Sequence, residues 1–345
     1  MTDYPDVATR SQSPAEANGG ASGPALPVIV VARDALHAPD RIADHFSGQA
    51  TIRREDISSP EKMRGATATA DAVVVALHRL TAELIDAMDG RVRVIGRMGV
   101  GTDTVNLDAA AARGITVFNE PTFGVQEVAS HAVAMLLALQ RKLVLSDRYI
   151  RDGWRGGFAL GPMKPMDEIV VGVIGCGRIG RAVAQQLIPI AGRVLVYDPA
   201  VDDVPPTAVR VGQLDDLLAR SDAVTLHVPL TPGTSRLLGH RELSLLPRGA
   251  IVVNVSRGGQ IDEAALAELL MAGALSGAGL DVFETEPLPP DSPLLLTPNT
   301  ILSPHCAGYS DRAAWRLGAW TVGDAIEWLN TGRLHHGSVV VAGSR

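Results

Sequence analysis

The chain has 345 residues, 46% of them hydrophobic and 20% charged, with a formal net charge of −7. That length supports two domains, each able to bury a core, and the acidic balance without a basic run argues against a nucleic-acid or anionic-membrane surface. Two cysteines, Cys176 and Cys306, are too few for a disulfide framework and fit a reducing cytoplasm, and no apolar run reaches membrane-spanning length.

Residues 1–25 are rich in Ser, Pro, Gly and Ala and lack an apolar segment, which predicts a disordered extension rather than a signal peptide. From Pro27 to Pro121 the runs PVIVVAR, ATIRRED, DAVVVAL, RVRVIGRMG and GITVFNE alternate with helical stretches, the pattern of a parallel sheet wrapped by helices. No glycine fingerprint follows the first of these strands, so the unit is not expected to hold a dinucleotide. A single long helix is predicted over Gly124 to Leu145, with Val128, Ala132, Met135, Leu136 and Leu139 at helical spacing. It would bridge two domains, with Trp154 packing the connection.

Val170 to Asp198 reads as an apolar strand, a glycine turn, an amphipathic helix and a second strand ending on a carboxylate. Gly175 suits the tight turn, Gly177 the approach of a pyrophosphate, and Gly180 the packing of helix on sheet. The amides at Arg178 and Ile179 open the helix, where unpaired N–H groups and the helix dipole favour an anion. Asp198 lies where an acid accepts hydrogen bonds from the adenosine ribose, which favours NAD over NADP. VYDP, DAVTLHVPL, AIVVNVSRGG, GAGLDVF and TILSPH then complete six strands of a doubly wound sheet. A last helix, Asp311 to Asn330, returns to the first domain, and the tail beyond it is expected to be loose. The boundaries are an extension at 1–25, a substrate domain at 26–121 plus 309–332, a dinucleotide domain at 122–308 and a tail at 333–345.

Arg257, Glu286 and His305 stand at the carboxyl ends of late strands, where open α/β sheets bind ligands. A guanidinium pairs with a substrate carboxylate in a fixed fork, an imidazole exchanges a hydroxyl proton near neutral pH, and a carboxylate keeps that imidazole oriented and protonated. Hydride transfer between a 2-hydroxy and a 2-keto acid needs these three capabilities. Arg97 reads either as a contact for a second anionic group or as a salt-bridged surface arginine. Cys306 reads as a small buried side chain. No metal-ligand spacing appears, so no metal is expected in the hydride chemistry.

GVGTDTVNLDAAAARGI, VIGCGRIGRAVA, HVPLTPGT, NVSRGGQIDEAAL, GLDVFETEPL and SPHCAG together resemble the D-isomer-specific 2-hydroxyacid dehydrogenase family, from about Pro27 to Asn330. The resemblance implies a Rossmann NAD-binding domain and a flavodoxin-like substrate domain discontinuous in sequence, two doubly wound parallel sheets with the active cleft between them. It implies that Arg257 binds substrate, Glu286 orients His305, and His305 is the acid/base. Backbone amides at Val100 and Gly101 would meet the substrate carboxylate. Val228, Pro229, Val255, Ser256, Asp281 and Gly308 would flank the nicotinamide or ribose, with Asp281 meeting the carboxamide. A homodimer is the family default.

SPHCAGYS is similar to the branch containing the C-terminal binding proteins, which opens the alternative of an NAD-sensing scaffold. The tryptophan of those corepressors is Gly308 here, so an enzyme is favoured. Glu286, where formate dehydrogenases carry glutamine, argues against that activity. A short phosphoglycerate dehydrogenase remains an alternative.

Overall fold

The computed structural model describes residues 25–33, 35, 39–154 and 160–343; the extension expected at 1–25 falls, but for its last residue, outside them. The chain divides into two compact units, one running to Phe123 and resuming at Ser310, the other spanning Gly124–Tyr309.

The first unit opens with five strands, β1 (Val28–Ala32), β2 (Thr51–Glu55), β3 (Ala72–Val75), β4 (Val94–Arg97) and β5 (Thr116–Asn119). They alternate with α1 (Pro39–His45), α2 (Pro60–Thr67), α3 (Ala82–Asp86) and α4 (Leu107–Ala112). The order β2-β1-β3-β4-β5 is parallel throughout and flavodoxin-like. Helices cover both faces, which is why β3 and β5 are wholly buried. Ser59, Thr81 and Asn106 cap three of the helices by accepting from Lys62, Leu84 and Ala109 N–H groups, so short helices start at defined residues.

The second unit begins with α5 (Val125–Gln140) and α6 (Leu143–Arg151). These replace the one helix expected over Gly124 to Leu145. Lys142 takes a left-handed backbone, φ 52°, and its ammonium donates to the carbonyls of Leu160 and Pro162, so the chain turns by 56° between the helices. Trp154 is 76% exposed instead of packed, and Leu143 and Ile150 on α6 are exposed with it. No single helix among the described residues is long and apolar enough to cross a membrane.

There follow β6 (Val170–Ile174), α7 (Arg178–Leu187), β7 (Arg193–Tyr197), β8 (Val209–Arg210), α8 (Leu214–Ala219), β9 (Ala223–Leu226) and α9 (His240–Leu245). Then come β10 (Ala250–Asn254), α10 (Glu263–Met271), β11 (Leu275–Leu280) and β12 (Thr300–Leu302). The sheet has seven strands in the order β8-β7-β6-β9-β10-β11-β12, one more than expected. The added β8 is a two-residue edge strand on β7, too short to leave a hydrophobic period in the sequence.

The chain then returns to the first unit as α11 (Asp311–Thr331), which packs on β4; a side chain at Gly96 would lie 2.7 Å from Thr321, so glycine permits the approach. The tail is not loose. Its strand β13 (Ser338–Val341) pairs antiparallel with β5, Ser338 opposite Asn119 and Val339 opposite Phe118. Asp324 of α11, 1% exposed, draws it in by accepting from the amides of His335, His336 and Gly337 at 2.8, 2.9 and 2.6 Å. His336 also stacks on Trp320, ring centroids 4.3 Å apart.

Candidate active site

Strand register fixes the site of the second unit. Tyr197, Ile174, Leu226, Asn254, Leu280 and Leu302 lie in one row across the sheet, each the last residue of its strand. Whatever follows these six residues emerges at the same carboxyl edge, where Asp198, Gly175, Val228, Ser256, Asp281 and His305 are found.

At Gly175, φ 93°, a side chain would strike the His227 carbonyl at 2.7 Å; at Gly180 one would lie 1.9 Å from the Gly175 carbonyl. The turn and its helix are therefore pressed against β9. Burial holds His227 neutral beneath them, with its pKa down to about 3. Gly177 faces open space and no side chain caps α7, so the first amides of that helix, at exposed Arg178 and at Ile179, are available to an anion. Asp198 accepts from Cys176 N at 2.7 Å and Ala200 N at 2.8 Å, one bond to each carboxylate oxygen. It braces the turn and keeps a lone pair on each oxygen for ribose hydroxyls. The turn fits a dinucleotide.

The loop after β10 carries Arg257. Asn254 holds both ends of it, accepting from Ser256 N at 3.0 Å and donating to Arg257 O at 2.8 Å. Ser256 Oγ reaches Leu226 O at 2.5 Å, and Gln260 donates to Val228 O at 2.8 Å, tying Val255, Ser256, Val228 and Pro229 into one surface. Next to Arg257, Gly258 lies so close to the following loop that a side chain would strike the Phe283 carbonyl at 1.8 Å. This contact sets Arg257 beside the loop that bears Glu286.

Glu286 accepts from Phe283 N at 3.0 Å through Oε1 and meets His305 Nδ1 at 2.8 Å through Oε2. Its burial would raise its pKa, but the hydrogen bond and charge of His305, the Phe283 amide and the charge of Arg257 together hold it below the usual carboxylate value. His305 has a left-handed backbone, φ 52°, and its amide is held by the Asp281 carbonyl at 2.8 Å. Holding a non-glycine residue there costs about 1–2 kcal/mol, a strain characteristic of functional positions. The imidazole Nε2 remains as the second ring nitrogen for proton exchange.

Asp281, 1% exposed, accepts from Ser303 Oγ at 2.5 Å, Cys306 N at 2.9 Å and Ala307 N at 2.8 Å. The Cys306 thiol is a further hydrogen-bond partner of this carboxylate. Gly308 abuts Gly124 at the start of α5; a side chain on Gly124 would meet its carbonyl at 3.2 Å. Cys306, expected as a small buried side chain, is half-buried.

In the first unit, Val100 and Gly101 follow β4 at the carboxyl edge of that sheet, and Asn119 braces them by donating to Val100 O at 2.5 Å. Arg97 is not a surface arginine. It is 3% exposed and folds over Gly99, φ 129°, donating to Met98 O at 2.7 Å. A side chain at Gly99 would lie 1.7 Å from its guanidinium.

Asn254, Gln260 and Ser303 were not singled out from sequence. The first two sit inside NVSRGGQ, whose density of polar and glycine residues straight after a buried strand marks a braced loop; nothing local marks Ser303.

A Rossmann sheet with an open glycine turn defines a dinucleotide-binding fold, and a histidine–carboxylate pair beside an arginine stands at the same sheet edge. Residues 133–307 match the family model described as "D-isomer specific 2-hydroxyacid dehydrogenase, NAD binding domain", and the chain belongs to that family. It is 40% identical over 255 residues to a glyoxylate reductase of Korarchaeum cryptofilum, covering 72% of this chain and 76% of that one. It is 37% identical over 327 residues to a D-3-phosphoglycerate dehydrogenase of Mycobacterium tuberculosis, covering 92% of this chain and 60% of that one. The TT0316 protein of Thermus thermophilus superposes with a TM-score of 0.81 at 32% identity, over 91% of this chain and all of that one. The chain spans 60% of the length of the Mycobacterium tuberculosis phosphoglycerate dehydrogenase and between 44% and 55% of those of Mycobacterium leprae, Archaeoglobus fulgidus, Methanocaldococcus jannaschii and Arabidopsis thaliana.

Proposed function

We propose that the protein interconverts a D-2-hydroxy acid and its 2-keto acid with NAD as the hydride carrier. The observation that carries this reading is the 2.8 Å contact of His305 Nδ1 with Glu286, beside Arg257 and at the sheet edge that bears the glycine turn. In oxidation, His305 Nε2 takes the hydroxyl proton; in reduction it returns it. Glu286 fixes the ring through its hydrogen bond to Nδ1, while Arg257 holds the substrate carboxylate and polarises its C2 oxygen. Bound NAD supplies the acceptor for the C2 hydride.

The protein is further taken to be cytoplasmic and homodimeric, a reading supported by its two free thiols and by the exposed Leu143, Ile150 and Trp154. The likeness to phosphoglycerate dehydrogenases keeps a phosphorylated 2-keto acid among the candidate substrates. The test is NADH consumption with glyoxylate, pyruvate, hydroxypyruvate, phenylpyruvate and phosphohydroxypyruvate, wild type against His305→Ala. Turnover of at least one keto acid should fall about 10²–10⁴-fold in the variant. Tight NADH binding with no turnover of any of them would favour the scaffold reading instead.

A further inference from the structure

His131 on α5, Asp281 after β11 and Cys306 after β12 present an imidazole nitrogen, a carboxylate oxygen and a thiol sulfur within 4.8 Å of one another. They are far apart in sequence. What brings them together is the close seat of α5 on β11, where Gly277 and Gly279 lack the side chains that would strike α5 at Leu139 and Met135. His131 Nε2 lies 3.1 Å from Ser303 Oγ and 3.9 Å from Asp281 Oδ1. Neighbouring ligand atoms in a tetrahedral zinc site are roughly 3.3–3.6 Å apart, so the cluster needs only a small contraction and a swing of the Ser303 hydroxyl off Asp281.

We infer that His131, Asp281 and Cys306 form an inhibitory site for a borderline-soft divalent cation of the zinc type, at the cofactor edge of the second unit. The donor set decides the class of metal. Thiolate and imidazole select zinc over magnesium, and three protein ligands leave a fourth position for water. Charge balances as well. Cys306 releases its proton to solvent on binding, and thiolate plus carboxylate then neutralise the dication, which suits a largely buried site. His131 keeps 28% of its side chain exposed, which gives the ion a way in. Occupation would engage Asp281 and move the segment that carries His305, so zinc and NADH should compete.

The competition rests on the cofactor role proposed for Asp281; the binding of the ion does not. Zinc titrated calorimetrically into the full chain should bind at one ion per chain, with no heat from magnesium. Cys306→Ser and His131→Ala, their folds checked by circular dichroism, should each weaken zinc binding at least about tenfold. If the serine variant is poorly folded, Cys306→Ala takes its place. NADH should raise the apparent Kd for zinc, and zinc should inhibit wild type at concentrations that leave Cys306→Ser active. Absence of stoichiometric binding, or equal binding by wild type and both variants, overturns the site whether or not any keto acid is turned over. Sound zinc binding that NADH leaves unchanged overturns the inhibitory role.

Discussion

Glu286 is held by two hydrogen bonds, one from the Phe283 amide and one shared with His305 Nδ1. Against its own burial, the pKa of Glu286 is lowered by the hydrogen bond and charge of His305. Glu286→Gln keeps the shape and removes the charge. On the proposed reading, kcat for keto-acid reduction should fall at least about tenfold while the Kd for NADH stays unchanged. Steady-state kinetics and NADH titration check this, and an unchanged kcat would show that the carboxylate only packs. Asp198 braces Cys176 and Ala200, and on the proposed reading it also meets the ribose. Wild type should prefer NADH to NADPH in kcat/KM, since a 2′-phosphate would meet this carboxylate. Asp198→Ser should narrow the preference and lower efficiency with NADH, the bracing having been lost too. A wild type as efficient with NADPH would refute the assignment.

At the level of elements, β13 and α11 are joined by one buried carboxylate. Asp324 satisfies three amides at once, and its removal leaves donors without an acceptor in the interior, at about 1–3 kcal/mol each where water cannot replace it. Asp324→Ala should therefore destabilise the protein by about 2–4 kcal/mol in urea melts and open the 338–341 amides to hydrogen exchange. Unchanged protection of that strand would mean that its pairing with β5 suffices alone. SVVV, a β-branched run next to a glycine, carries the strand signal in the sequence, but its length matches a loose end equally well. The acid that selects the strand lies in a different helix, and in sequence it reads as one more charge on α11. Lys142 is a similar case: the residues around it fit one helix, and the carbonyls of 160 and 162 decide for two.

On the scale of the whole molecule, stability should carry a pH signature from Glu120. This residue is fully buried after β5, and desolvation, with the charge of Asp324 behind it, lifts its pKa to about 8. The unfolded chain loses that proton near 4.5. Between the two values the folded state binds more protons than the unfolded one, so stability declines as pH rises through that window and the contribution is gone above it. Glu120→Gln, neutral at every pH, should flatten the decline, and thermal melts at pH 5 and pH 8 measure it. An equal loss of Tm in wild type and variant between those pH values would place the buried proton elsewhere. Asp324 and Glu120 interact, so the effects of their substitutions should not add.

Residues contiguous in the chain determined much of this protein. Period and composition set two runs of alternating strands and helices, glycines and a terminal acid set the dinucleotide turn, and Arg257, Glu286 and His305 each follow a strand that its own residues mark. Each of those depends on backbone conformation and on neighbours a few positions away, which sequence records directly. The capture of the tail by Asp324, the raised pKa of Glu120 and the meeting of His131 with Asp281 and Cys306 were decided only by tertiary structure. They depend on desolvation and on contacts between segments tens to hundreds of residues apart, and local periodicity carries no trace of either.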